Sequence, residues 1–210
     1  MLLETTRLNL RPWKESDAES LYEYAKNPLV GPAVGWPVHT STQNSREIIR
    51  GVLSADEIYA VTLKGDDAAI GSVGLMIGDK SNLNIPADEG EIGYWIGQPF
   101  WGRGLIPEAV RELMRYAFDV LKLTTLWCGY FDENKKSKRA AEKYGFKYHH
   151  PEYEKEWPLI NTTKTQHVTR ITKDEYQRDL IVNLEKIHTT PMGEERIKRN
   201  LDLQTNDVVA

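Results

Sequence analysis

The sequence predicts an α+β fold: a mixed, mostly antiparallel central sheet with helices on both faces. Two observations carry this. Three strand-like runs stand together between residues 58 and 96, and helical patterns flank them on either side. A chain of 210 residues, 40% hydrophobic and 28% charged, can bury such a core.

The elements follow in order. Period-two alternation over Thr6–Leu10 puts Leu8 and Leu10 on one face of a first strand, which Pro12 ends. Ser16, with Glu19 three positions on, reads as a capping box opening a helix through Leu21, Tyr22 and Ala25, which Asn27-Pro28 stops. Val30–Thr40, rich in glycine and proline around Trp36, reads as a loop with a buried anchor, of the kind that can line a site. A second helix is expected over Thr42–Leu53. Strands are expected over Ile58–Leu63, Ile70–Ile77 and Glu91–Ile96, the first two joined by the turn-forming Lys64-Gly65-Asp66-Asp67.

From Pro107, read as the first helical residue, Val110, Leu113, Met114, Ala117, Phe118 and Leu121 mark one face of a long helix. Leu126–Tyr130 reads as a short strand and Asn134–Tyr144 as a helix closed by Gly145 at the position that needs positive φ. Strands near Tyr148–Tyr153 and Thr165–Ile171 complete the sheet. A last helical pattern runs from Thr172 through Ile187. The expected division is one domain over 1–178, then a C-terminal helical extension and mobile tail over 179–210.

Composition excludes several classes. A formal net charge of −4 gives no bulk attraction to phosphate backbones, so nucleic acid is not the expected partner. The lone Cys128 excludes an internal disulfide framework and fits a reducing compartment. Polar residues interrupt the N-terminal stretch, and the longest nearly apolar run, Ile70–Gly78, is far below the ~20 residues that span a bilayer. The expectation is a cytoplasmic protein with no membrane partner.

The segment Gln98-Pro99-Phe100-Trp101-Gly102-Arg103-Gly104-Leu105-Ile106-Pro107-Glu108 lies between a strand and a long helix. Glycines there let main-chain amides turn outward beside a positive helix end, which makes an anion cradle fit for a pyrophosphate. An ordinary strand-to-helix connection is the competing reading. A P-loop needs Lys and then Ser or Thr after its last glycine, where Leu105-Ile106 stand, and a dinucleotide fold needs a third glycine.

These residues carry a resemblance. Glu91-Ile92-Gly93-Tyr94-Trp95-Ile96, then Trp101-Gly102-Arg103-Gly104, Glu108-Ala109-Val110, Asn134 with Ser137, and Gly145-Phe146 resemble the GNAT N-acetyltransferases. With Leu3-Glu4-Thr5-Thr6-Arg7-Leu8-Asn9-Leu10-Arg11-Pro12 and Asp17-Ala18, the chain is most similar to their RimJ/RimL-like branch over about residues 2 to 172. The resemblance implies transfer of acetyl from the cosubstrate acetyl-CoA to a primary amine, a protein N-terminus or a small amine, by direct attack. It implies pantetheine pairing with backbone groups of Tyr94, Trp95 and Ile96, pyrophosphate held by amides of Trp101, Gly102, Arg103, Gly104 and Leu105, and Asn134 near the pantetheine. Pro99 departs from the family pattern, which often has Gln or Arg there. The alternative is a non-catalytic CoA-binding or regulatory module. Oligomeric state is left open, with a homodimer as one option.

Amine attack needs a base and the leaving thiolate needs a proton. Glu91, opening the strand that would hold pantetheine, is the candidate base, with water or Glu89 as substitute. Ser137 is the candidate acid by family match; Ala141 stands where many relatives have Tyr, and Tyr144 is not chosen. No metal is expected: His149 and His150 are adjacent, so on a strand their rings would point to opposite faces. Cys128 reads as core rather than nucleophile, and Lys135, Lys136, Lys138 and Arg139 as a solvated basic face or a contact for the 3′-phosphate.

Overall fold

A computed structural model describes residues 1–187 and divides the chain into two units, 1–171 and 172–210. In the first, β1 (Leu3–Glu4), β2 (Leu8–Pro12), β3 (Ile58–Leu63), β4 (Asp66–Ile77) and β5 (Glu89–Ile96) form an antiparallel series. β6 (Thr125–Phe131) joins β5 in parallel, and β7 (Lys147–Trp157) pairs antiparallel with β8 (Thr162–Thr172). The sheet order is β1-β2-β3-β4-β5-β6-β8-β7. The expected fold class is therefore the observed one.

α1 (Ala18–Ala25) and α2 (Thr42–Ile48) lie on one face, where Trp13, Leu21, Ile49, Ala60 and Ala69 are buried together. α3 (Leu105–Arg115) packs on the strands from the other side: Tyr116, just after it, bonds Glu57 beside Tyr59, whereas Ala60, the next residue of β3, sits in the α1–α2 core. α4 (Lys135–Lys143) follows β6. Its end is a Schellman motif: the Phe146 amide donates to Ala141 O and the Gly145 amide to Glu142 O, with Gly145 at φ +86°. In the second unit the described part is α5 (Lys173–Ile187), opened by a reciprocal Thr172–Glu175 cap. Of the extension expected over 179–210, residues 188–210 lie outside the described residues.

Several expectations are corrected. The cap before α1 is not Ser16. The Asp17 carboxylate accepts from the Lys14 amide at 2.8 Å and from both terminal nitrogens of Arg11 at 2.8 Å, because a buried guanidinium needs a buried anion. α3 starts at Leu105, which puts Pro107 third in the helix, where its missing N–H still costs nothing. After Arg115 and after Ile48 the helices continue as single π-turns. The His149 and His150 rings do not diverge. A register shift between Tyr148 and His150 brings their Nδ1 atoms to 2.6 Å on the exposed surface. Among the described residues, no group of three or more His, Cys, Asp or Glu is placed to hold a metal ion, and no helix is long and apolar enough to cross a membrane.

Candidate active site

The sheet opens at one place. β5 and β6 pair at Glu89–Thr125, Gly90–Leu126 and Glu91–Trp127, and there the pairing stops although both strands continue. The Gly97 amide donates to Ile70 O of β4, so by alternation the main-chain groups of Ile92, Tyr94 and Ile96 face away from β4 into the opening. An extended amide-bearing chain can pair with such an edge. The Ile96 carbonyl already accepts from the Trp101 indole at 2.9 Å.

Beyond that edge lies the glycine loop. Gly102 and Gly104 have φ of +76° and +71°, and both are exposed. The Trp101 amide donates to Gln98 O and the Glu108 amide to Gly104 O. Between them the amides of Gly102, Arg103, Gly104, Leu105 and Ile106 meet no acceptor among the described residues. The open run of amides begins at Gly102, one residue after Trp101, and reaches Ile106. It fits a pyrophosphate without any side chain.

Sequence reasoning missed the brace behind this loop. Arg7 donates to the carbonyls of Arg103 (3.0 Å) and Gly104 (3.1 Å) and pairs with Glu108 at 2.6 Å. Burial alone would raise the Glu108 carboxyl, but the Thr5 hydroxyl, the Arg7 amide and the Arg7 guanidinium hold it below the ordinary range. With its carbonyls drawn toward Arg7, the loop keeps its amides outward.

A cavity of about 230 Å³ runs through the opening. Glu91, 6% exposed, stands in its wall where the strands part. Its carboxylate accepts from Ser81 Oγ at 2.8 Å and from the Asn82 amide at 3.1 Å. Burial raises its proton affinity, and these two bonds only moderate the rise. Glu89 lies outside the cavity lining and is engaged by the Trp127 indole at 2.5 Å.

Alternation puts Tyr94 on the other face of β5. Its hydroxyl lies 3.0 Å from Ser137 Oγ, and both residues line the cavity. Burial drives the Tyr94 phenol well above its usual range. Its side chain was overlooked because only its backbone matched a motif. Asn134 also lines the cavity, but its side chain caps α4 by accepting from the Ser137 amide (3.1 Å) and donates to Ala33 O (3.1 Å). The Cys128 thiol is buried and pushed up to about 12 by desolvation, which suits a core residue rather than a nucleophile. Tyr144 does not line the cavity.

The GNAT acetyltransferase domain model matches residues 7–147. The chain belongs to the GNAT family. An uncharacterized N-acetyltransferase of Bacillus licheniformis, p20, is 30% identical over 149 residues, covering 69% of this chain and 81% of that protein. The solved GNAT acetyltransferase of Bacillus anthracis superposes with a TM-score of 0.71 at 21% identity, covering 83% of this chain and 99% of that one. The ribosomal-protein-S5-alanine acetyltransferase of Vibrio fischeri superposes with 0.65 at 18%, covering 84% and 98%. The likeness to the two solved structures is one of fold. GNAT acetyltransferases use acetyl-CoA, and the open β5 edge and free amide run of this chain fit that cosubstrate.

Proposed function

We propose that this GNAT chain transfers acetyl from acetyl-CoA to a primary amine, a peptide N-terminus or a small amine, by direct attack. One observation carries the reading: β5 parts from β6 at Glu91, so a single strand offers an open edge for pantetheine and a buried carboxylate facing the same opening. The amine nitrogen bonds to the thioester carbon and the C–S bond breaks. Glu91 takes the amine proton, directly or through water, and its raised proton affinity strengthens it for that task at neutral pH. Ser137, backed by the Tyr94 hydroxyl, supplies a proton to the departing sulfur. The reading has no covalent acyl-enzyme: Cys128 is buried on the central strand β6, and burial pushes its thiol up, away from the thiolate a nucleophile needs.

The test is Glu91→Gln, followed by acetyl-CoA-dependent thiol release. Turnover is expected to fall by ~10²–10⁴-fold and the acid limb of the rate to vanish, while acetyl-CoA affinity holds. Activity within about threefold of the parent across pH 6–9 would show that Glu91 is only a strand-end carboxylate.

A further inference from the structure

We infer that the acceptor is a small arylalkylamine: a primary amine with a single positive charge, set one or two carbons from a flat apolar ring. This rests on the transferase reading above and names its substrate class.

The floor of the cavity on the Glu91 face is low and apolar. Gly74 and Gly93 face each other across β4 and β5, two pairs along from Met76 and Glu91 and so on the same face. A Cβ at Gly74 would come within 2.6 Å of Ile58 Cδ1, and one at Gly93 within 3.2 Å of Met76 Cε. The glycines therefore let those two side-chain ends lie flat over the sheet. The walls are rings at fixed angles: Trp36 stands edge-on to Trp95 (5.7 Å, 73°) and Phe131 edge-on to Trp157 (4.8 Å, 83°). They are held from behind, since a Cβ at Gly31 would fall 2.3 Å from the Trp36 ring and one at Gly35 2.5 Å from that of Trp157. A cavity lined by these four aromatic rings suits an aromatic body.

Charge limits the acceptor further. Among the described residues that line the cavity, Glu91 is the sole acidic one. At the rim the Lys155 ammonium sits 3.0 Å from Gln166 Oε1, 3.1 Å from the Asn82 carbonyl and 2.7 Å from the Glu152 carboxylate. A first ammonium finds Glu91; the next carboxylate, Glu152, is already paired with Lys155. Polyamines and aminoglycosides, which need several anionic contacts, are thereby disfavoured, although the overall charge of −4 would favour them.

The experiment uses the full chain with 2-phenylethylamine, ethylamine, spermidine, kanamycin and a peptide beginning with Phe. Thiol release gives kcat/KM, and calorimetry on the CoA-loaded protein gives binding. Phenylethylamine is expected to exceed each of the others at least about tenfold in both readouts. Trp36→Leu should raise its KM about tenfold with kcat changed less than about threefold and acetyl-CoA affinity retained. Equal or better use of spermidine or kanamycin overturns the inference, and preference for the peptide moves the acceptor from a free amine to a chain terminus and overturns it too. If no amine turns over, the transferase reading fails by itself, and calorimetric preference for phenylethylamine still decides the acceptor class.

Discussion

The two sides of the β5–β6 opening are built from different materials. On the side proposed for the coenzyme, the groups on offer are main-chain: the open edge at Ile92, Tyr94 and Ile96 and the free amides from Gly102 to Ile106. On the side proposed for the acceptor they are side chains: Glu91, Trp36, Trp95, Phe131 and Trp157, brought from distant parts of the chain. The contrast teaches where variation is tolerated. A main-chain cradle depends on φ angles and a helix start, so it accepts many side chains but few changes at its glycines. The acceptor pocket depends on the side chains themselves, so new specificity arises there without disturbing coenzyme binding.

Variants can break or sharpen this contrast. The largest effect is the loss of turnover on Glu91→Gln at unchanged acetyl-CoA affinity. Next is Gly102→Asp: a Cβ there meets nothing within 4 Å, but φ of +76° and a negative charge oppose the pyrophosphate. Calorimetry should show acetyl-CoA bound about ten- to a hundredfold more weakly, with the melting point nearly kept. Gly104→Asp is a poorer probe, since its Cβ would lie 3.7 Å from Arg7 Nη2, which would offset the added charge. A smaller change is expected for Ser137→Ala, about three- to thirtyfold in kcat with affinity unmoved, because the Tyr94 hydroxyl, 3.0 Å from Ser137 Oγ, would remain to serve the leaving sulfur.

The smallest effect concerns stability. Burial raises the folded-state pKa of Glu91 above its unfolded value, so its charged form opposes folding. Its contribution is full below the unfolded pKa and is lost as pH rises through the folded one. The melting temperature of Glu91→Gln relative to the parent should therefore climb as the pH rises above the ordinary carboxylate value of 4.5. A variant that falls steadily behind the parent with rising pH would mean that the carboxylate stabilises the fold.

The same contrast explains how much was legible in the sequence. Strands, helices and the glycine loop were readable because alternation, helical spacing and turn residues are local signals. Asn134 and Gly145 were placed correctly at the ends of α4 on that basis. The Arg11–Asp17 pair and the Arg7 brace were not readable, because each joins segments whose proximity only the fold decides. The bulge that turns His149 and His150 to one side leaves no mark in composition. At the site, Glu91 and Ser137 were named from a motif, whereas the Tyr94 hydroxyl and the aromatic walls needed the alternation of β5 and the return of β7 to meet them.

The central claim is that main chain holds the coenzyme and side chains hold the acceptor. Amide chemical shifts followed while CoA is added to the isotopically labelled protein test it most directly. The account predicts large, saturating shifts at Gly102, Arg103, Gly104, Leu105 and Ile106 and along Ile92–Ile96, with little change at Ile58 or Trp36. Unmoved loop amides in a sample that binds CoA by calorimetry, or shifts centred on the Trp36 pocket, would contradict it.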